Sequence, residues 1–169
     1  MKLASTIKFL RSNLLLAMAV TILSIITVEE VKAAYCTPGY SYGYTTYCLR
    51  QFRFGGIDFS TGYTSGVRYT DYTQYSTDAL APGQRVSFYI RNNYTYMTNR
   101  IWIDWNQDET FNQSDELVFK ENYTDYGISQ SGNITVPNNA KGGKTRVRVL
   151  GGYYYYLWYY FSNNGNNPC

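Results

Sequence analysis

The chain has 169 residues, of which 20 are tyrosine and none is histidine, and a formal net charge of +3. The lack of histidine excludes Ser-His-Asp and Cys-His catalysis, histidine-ligated zinc and the commonest general base near neutral pH. Beyond the first segment tyrosine, threonine, asparagine and glycine are abundant, and no long stretch repeats apolar residues at helical spacing. The sequence therefore predicts an all-β fold.

The N-terminal segment has the layout of an export signal. A positively charged start is followed by an apolar run over 14–28 and then by Val31-Lys32-Ala33, with small residues at the two positions that signal peptidase reads. The apolar run has about 15 residues, whereas a membrane-spanning helix needs about 20. We predict a helical signal peptide over 1–33, with an uncleaved N-terminal anchor as the alternative. The product would be secreted or held at the cell surface.

Cleavage would leave one domain of about 135 residues, which is large enough to fold alone. Residues 1–33 contain four basic and two acidic side chains, so the mature chain has 11 basic and 10 acidic residues, a net charge of +1. No stripe of lysine and arginine is present, and we expect no nucleic-acid partner and no stable membrane span. We predict a sandwich domain over 34–150. The Tyr-rich and Asn-rich tail over 151–169 could add a last partial strand.

Short alternating runs of apolar and polar residues predict seven or eight strands in this domain. Turn signals separate them, the clearest being Gly55-Gly56, Ala81-Pro82-Gly83 and Pro137-Asn138-Asn139. Strands at this spacing fit a sandwich of two antiparallel sheets. The predicted strand segments are 49–54, 57–59, 67–72, 86–90, 101–103, 117–119, a run that ends at 136, and 145–150.

Oxygen-bearing side chains recur at alternate positions after the strand at 101–103. Calcium takes six to eight hard oxygen ligands, and a tight loop with ligands at positions 1, 3, 5, 7 and 12 can surround one ion. Magnesium fits less well because it keeps several waters. The predicted calcium ligands are Asp104, Asn106, Asp108, the carbonyl of Thr110, Asp115 at position 12, and Glu116 beside it as the more capable bidentate ligand.

Two features of this loop depart from a calcium loop. Position 6 is Glu109, where glycine would ease the turn, and position 12 is Asp115 instead of glutamate. The alternative is a solvated acidic hairpin loop whose Asp and Asn side chains make Asx turns. A carboxylate pair could also run glycoside hydrolysis, but regular spacing around one local turn favours a cation. We expect no enzymatic activity.

Three cysteines remain after the predicted cleavage site. In an exported protein Cys36 and Cys48 are predicted to form a disulfide, which would stabilise the fold by roughly 3 kcal/mol. Cys169 is left over. It is interpreted as a free thiol, an intermolecular bond or a cysteine whose partner is missing.

The tyrosines suggest sugar binding, because exposed aromatic faces stack on carbohydrate rings. The candidates are Tyr40, Tyr42, Tyr44 and Tyr47 near the predicted disulfide, and the run 153–156. The alternative is that these tyrosines do the ordinary packing and edge work of a secreted β protein.

Six short motifs follow one another along the chain. They are Tyr35-Cys36-Thr37-Pro38, Phe52-Arg53-Phe54-Gly55, Tyr69-Thr70-Asp71-Tyr72-Thr73, Leu80-Ala81-Pro82-Gly83, Ile101-Trp102-Ile103-Asp104-Trp105-Asn106-Gln107-Asp108 and Thr145-Arg146-Val147-Arg148-Val149. In that order they resemble the GEVED domain of secreted bacterial proteins. The resemblance covers roughly 35–150, and the motif that ends at Asp108 is its most specific part.

The resemblance implies a β-sandwich of extracellular and cell-surface proteins, often attached to peptidases or adhesins, with no catalytic activity of its own. The family usually has glycine where this chain has Glu109. The Gly-Glu-Val-Glu-Asp motif that names the family is absent, and the chain stops at Pro168-Cys169, which family members have shortly before that motif. The resemblance therefore predicts a C-terminally truncated member that lacks its last strand.

Together these observations predict a secreted, non-catalytic interaction or adhesion module whose acidic loop binds calcium. The alternative is a carbohydrate-binding accessory module of a secreted hydrolase or peptidase system. A third possibility is a subunit of a surface assembly linked through Cys169. The expected partner is an extracellular protein or glycan.

Overall fold

The computed structural model describes residues 35–37, 47–61, 69–121 and 128–164. For residues 163 and 164 it describes the backbone only. The predicted signal peptide over 1–33, and Cys169, lie outside the described residues. In chain order the elements are β1 (Leu49–Phe54), β2 (Ile57–Ser60), β3 (Arg85–Asn92), β4 (Met97–Ile103), β5 (Leu117–Lys120), β6 (Ser129–Thr135), β7 (Val147–Tyr153) and a helix, α1 (Tyr154–Asn164).

The strands form two antiparallel sheets. The first sheet has the order β2-β1-β3-β6, and the second has the order β5-β4-β7. The hairpin between β1 and β2 turns at Gly55 and Gly56, whose φ values of +53° and +91° are both positive. Such backbone angles match the right-handed twist of the flanking strands and favour glycine. The predicted two-sheet antiparallel sandwich is confirmed.

Facing apolar side chains of the two sheets form the main core. The alternation in β1 and β3 turns their apolar residues inward, and Ile90 of β3 and Ile101 of β4 are fully buried. The rings of Phe88 and Phe119 join the two sheets, with centroids 4.7 Å apart. Each such side chain contributes roughly 1.5–3 kcal/mol by burial. The core comprises Phe52, Phe54, Val86, Phe88, Ile90, Ile101, Ile103, Trp105, Ile134 and Val136.

Helix α1 covers the other face of the second sheet, so every residue of β4 is buried. Leu157 lies one helical turn before Tyr160 and Phe161, and all three pack with Trp102 in a second apolar cluster. The Arg100 guanidinium lies 3.5 Å from the centroid of the Phe161 ring. The tail over 151–169 is predicted to add a last partial strand, and residues 151–153 do lie in β7. The helix that follows is not predicted.

Seven of the eight predicted strand segments contain a strand, and the segment 67–72 is the exception. Within its described part, 69–72, no strand is present. The Tyr72 ring stacks on Phe59 with centroids 4.4 Å apart, and the Asp71 carboxylate accepts a hydrogen bond from the Thr73 amide. The described part of this segment is held by ring stacking and an Asx turn, and not by the backbone hydrogen bonds of a β-sheet.

Candidate cation-binding loop

The acidic loop connects β4 to β5 and is held at both ends by backbone hydrogen bonds. The Ile103 amide donates to the Glu116 carbonyl at 2.9 Å, which closes the loop. The Asp104 amide donates to the carbonyl of Arg146 at 3.1 Å, which ties the start of the loop to the segment before β7. The loop therefore lies at one end of the second sheet, and the backbone of that sheet holds it in place.

Asp104 is the buried centre of this loop, with none of its surface exposed. Its Oδ1 accepts a hydrogen bond from the Asp108 amide at 3.2 Å, and its Oδ2 accepts one from the Glu109 amide at 3.1 Å. The hydroxyl of Tyr35 also donates to Oδ2. A buried carboxylate with three donors is satisfied without a cation in this conformation.

Asn106 and Asp108 make consecutive Asx turns. The Asn106 Oδ1 accepts from the Asp108 amide at 2.9 Å, and the Asp108 Oδ1 accepts from the Thr110 amide at 2.9 Å and its hydroxyl at 2.6 Å. The hydrogen bonds from Thr110 lower the pKa of the Asp108 carboxyl. Thr110 belongs to the same series of turns. Hydrogen bonds therefore link the residues predicted as ligands at positions 1 to 7, from Asp104 to Thr110.

Glu116 closes the loop as a second buried carboxylate, 1% exposed. Its Oε2 accepts from the Asn112 amide at 2.9 Å, and its Oε1 accepts from the Asn106 amide at 3.4 Å. Burial raises the pKa of Glu116, and the negative charges of Asp104 and Asp108 raise it further. Two other carboxylates of the predicted ligand set therefore repel Glu116 within this loop.

Asp115 stands apart from this set. Its side chain is exposed and accepts a hydrogen bond from the Ser114 hydroxyl at 2.9 Å, while its amide donates to Asn112. Of the two acidic residues predicted at the end of the loop, only Glu116 points inward. Spacing alone could not separate them, because adjacent residues differ only in the face to which they turn.

The donor chemistry of the loop fits calcium, since each predicted ligand offers a hard oxygen. Two of these ligands, Asp104 and Glu116, are carboxylates that are at least nine-tenths buried. Within the described part of the chain, however, no three acidic, cysteine or histidine side chains converge closely enough to hold a metal ion. In this conformation backbone amides of the loop donate hydrogen bonds to the carboxylate oxygens. The alternative interpretation, an acidic loop built of Asx turns, predicts such bonds.

Tyr35 links the start of the domain to the acidic loop. Its ring packs on Phe111 with centroids 5.4 Å apart, and the Arg146 guanidinium lies 4.6 Å from its centroid. Burial raises the pKa of the Tyr35 phenol, and the hydrogen bond to the Asp104 carboxylate raises it further. Sequence reasoning missed this contact, because Tyr35 and Asp104 are 69 residues apart and no local pattern connects them.

The predicted pairing of Cys36 with Cys48 is wrong. Cys36 is disulfide-bonded, but Cys48 carries a free thiol. Arg148 of β7 holds Cys36 against the second sheet, where its guanidinium donates to the Cys36 carbonyl at 2.5 Å. Cys48 instead precedes β1 of the first sheet, and its amide donates to Asn93 at 2.9 Å. The two cysteines are near in sequence, but Cys36 contacts a strand of the second sheet and Cys48 immediately precedes a strand of the first.

One tyrosine from each of the two segments predicted as sugar-binding candidates meets the other in the fold. Tyr40, Tyr42 and Tyr44 lie outside the described residues. The ring of Tyr47 stacks on Tyr153 with centroids 5.0 Å apart and an interplanar angle of 24°. These two residues come from opposite ends of the domain sequence, and the sheets bring them together.

The fold and the loop define a two-sheet β-sandwich domain with an oxygen-rich hairpin loop at one end. Residues 98–169 match the family model of the GEVED domain. The match runs from β4 through the acidic loop to α1. It confirms the family that the motifs predict, although the resemblance was expected over 35–150. No curated protein and no solved structure matches the chain.

Proposed function

We propose that this protein is a secreted, non-catalytic interaction or adhesion module whose acidic loop is stiffened by calcium. One observation carries the proposal: Asp104 and Glu116, both buried carboxylates, lie at the two ends of one short loop within a GEVED domain. Their repulsion destabilises the loop, and a cation between them would remove that cost. The expected partner is an extracellular protein or glycan.

The proposed ligands are the side chains of Asp104, Asn106, Asp108 and Glu116 and the carbonyl of Thr110. Asp115 is left out because its side chain is exposed and turned away. When bound, calcium would supply positive charge among these oxygens. The chain's own contribution is to fix the loop between β4 and β5, so that its outer residues keep one shape for a partner.

The burial of Asp104 and Glu116 counts against these two carboxylates as a glycosidase pair. A glycosidase needs two carboxyl groups that reach a scissile bond. Asp104 is fully buried and Glu116 is 1% exposed, so neither is open to a substrate. Among the described residues, no helix is long and apolar enough to cross a membrane.

Thermal unfolding of the secreted protein in calcium and in chelator tests the proposal. At a calcium concentration 100 times the Kd, binding adds about 2.7 kcal/mol of stability, which raises Tm on the order of 10 °C. Asp104→Asn and Glu116→Gln should reduce this shift strongly. Asp115→Asn is the matched control and should retain it. An equal Tm in millimolar calcium and in chelator would retire the calcium site.

A second candidate function is a carbohydrate-binding accessory module of a secreted hydrolase or peptidase system. The stacking of Tyr47 on Tyr153 favours it, because two tyrosine-rich segments that are distant in sequence contribute to one aromatic cluster. Tyrosine offers a flat apolar face and a hydroxyl, the two features that sugar recognition uses.

A further inference from the structure

A continuous series of tyrosine rings crosses the end of the domain opposite the acidic loop. Tyr96 contacts Tyr94 at 5.6 Å between centroids, Tyr94 contacts Tyr47 at 5.2 Å, and Tyr47 stacks on Tyr153. The series continues from Tyr153 to Tyr156 at 5.7 Å and from Tyr156 to Tyr155 at 5.9 Å. We call these residues the tyrosine surface: Tyr47, Tyr94, Tyr96, Tyr153, Tyr155 and Tyr156.

Backbone pairing holds the tyrosine surface in place. Met97 at the start of β4 pairs with Tyr153 at the end of β7, and the Tyr154 amide donates to the Tyr96 carbonyl at 2.9 Å. The Asn93 amide donates to the carbonyl of Cys48 at 3.2 Å, which ties the β3–β4 turn to the residues before β1. The rings are therefore carried by elements that the sheets already order, so that binding would cost little further ordering.

Three members of the tyrosine surface remain open to solvent. Tyr94 is 40% exposed, Tyr96 is 43% exposed and Tyr155 is 55% exposed. The other three members are half-buried beneath them. A set of supported but accessible rings is typical of binding sites, because tyrosine gives a large contact area with few rotatable bonds.

The tyrosine surface consists of phenol rings and includes no acidic or basic side chain. Helix α1, which supplies Tyr155 and Tyr156, contains no charged residue along its whole length. A nucleic acid or an acidic polymer would need cationic side chains here. The chemistry of uncharged rings and hydroxyls instead suits a neutral ligand that has apolar C–H faces and many hydroxyl groups.

We propose that the tyrosine surface binds a neutral polysaccharide by stacking on its sugar rings, with Tyr94 and Tyr96 as the main contacts. The proposal rests on the binding role proposed above and names the ligand class. The tyrosine surface lies at the end of β4 opposite the acidic loop. Sugar binding and calcium binding can therefore be disproved independently. Neither Tyr94 nor Tyr96 belongs to the segments that sequence reasoning marked for sugar binding.

Binding of the full secreted chain to neutral polymers tests the proposal. The probes are insoluble cellulose and chitin in sedimentation assays, and xylan, mannan and glycogen in affinity electrophoresis, with heparin as the anionic comparison. We expect at least one neutral polymer to bind, with little change in 1 M NaCl. Tyr94→Ala and Tyr96→Ala should each weaken that binding about tenfold or more.

Tyr75→Ala is the matched control, because Tyr75 is 46% exposed and packs on Phe59, away from the tyrosine surface. It should bind as the wild type does. Failure of every neutral polymer to bind, unchanged binding by the Tyr94 and Tyr96 variants, or salt-sensitive binding to heparin alone would overturn the proposal. Each assay is run in calcium and in chelator. Sugar binding without any effect of calcium on Tm would contradict the proposed calcium site and would still support sugar binding by the tyrosine surface.

Discussion

Glu109 and Gln107 have φ values of +63° and +53°, in the left-handed region that favours glycine. The Gln107 side-chain amide donates to the carbonyls of Lys141 and Gly142 at 3.0 and 3.2 Å. The Glu109 backbone amide donates to Asp104, a bond that glycine would keep. Glycine at position 109 would therefore relieve backbone strain and keep this bond.

Glu109→Gly should raise the free energy of unfolding by about 1 kcal/mol, since an L-residue in this region costs roughly 1–2 kcal/mol and glycine loses part of that gain to entropy. Urea denaturation in chelator measures the change. Gln107→Gly is the matched control, and it should show no gain, because it loses two hydrogen bonds worth about 0.5–1.5 kcal/mol each. A Glu109→Gly protein less stable than the wild type would contradict the prediction.

At the scale of elements, the acidic loop couples its own stability to pH through Glu116. The folded-state pKa of this carboxyl lies above its unfolded value because of burial and of the Asp104 and Asp108 charges. The folded state therefore holds the proton more tightly, and Glu116 stabilises the fold below its unfolded pKa. This contribution is lost as the pH rises through the folded pKa. Asp108 has a lowered pKa and acts oppositely, since its contribution is lost in acid.

In chelator, the stability of Glu116→Gln relative to the wild type should be highest at pH 7 and should decline as the pH falls toward 4. Glutamine has no charge for the other carboxylates to repel, whereas the wild type gains relief only when Glu116 is protonated. Urea denaturation from pH 4 to pH 7 measures both proteins. A stability difference that does not change over this range would contradict the raised pKa.

Helix α1 shows where an element depends on its surroundings. Its aromatic sequence favours strand by propensity, and the residues just before it do finish β7. The second sheet, however, leaves Trp102 uncovered on its outer face, and a helix can bury Leu157 and Phe161 there together. The tertiary requirement for an apolar cover overrides the local preference.

At the scale of the whole molecule, the first described residues are fastened to the second sheet. Tyr35 binds Asp104 through its hydroxyl, and Arg148 donates to the Cys36 carbonyl. Arg148 is itself buried, and burial lowers its pKa. Cys36 is disulfide-bonded at this junction. The contacts of Tyr35 and Cys36 therefore hold this end of the described domain beside the acidic loop.

Peptide mapping under non-reducing conditions should find the Cys48 peptide alkylated as a free thiol and the Cys36 peptide in a disulfide. Reduction should release the peptide linked to Cys36 without forming monomers from dimers. A Cys36–Cys48 peptide would contradict this connectivity, and a dimer that collapses on reduction would indicate an intermolecular bond instead.

The sequence alone determined the local features of this protein. Alternating side chains placed seven strands, Gly55-Gly56 set a hairpin, and the spacing of Asp104, Asn106 and Asp108 marked the loop, because each signal depends on neighbouring residues. Only the tertiary structure decided which distant groups meet: Tyr35 with Asp104, Tyr47 with Tyr153, and Cys36 apart from Cys48. Those contacts follow from the order and register of the strands in two sheets, which local periodicity does not specify.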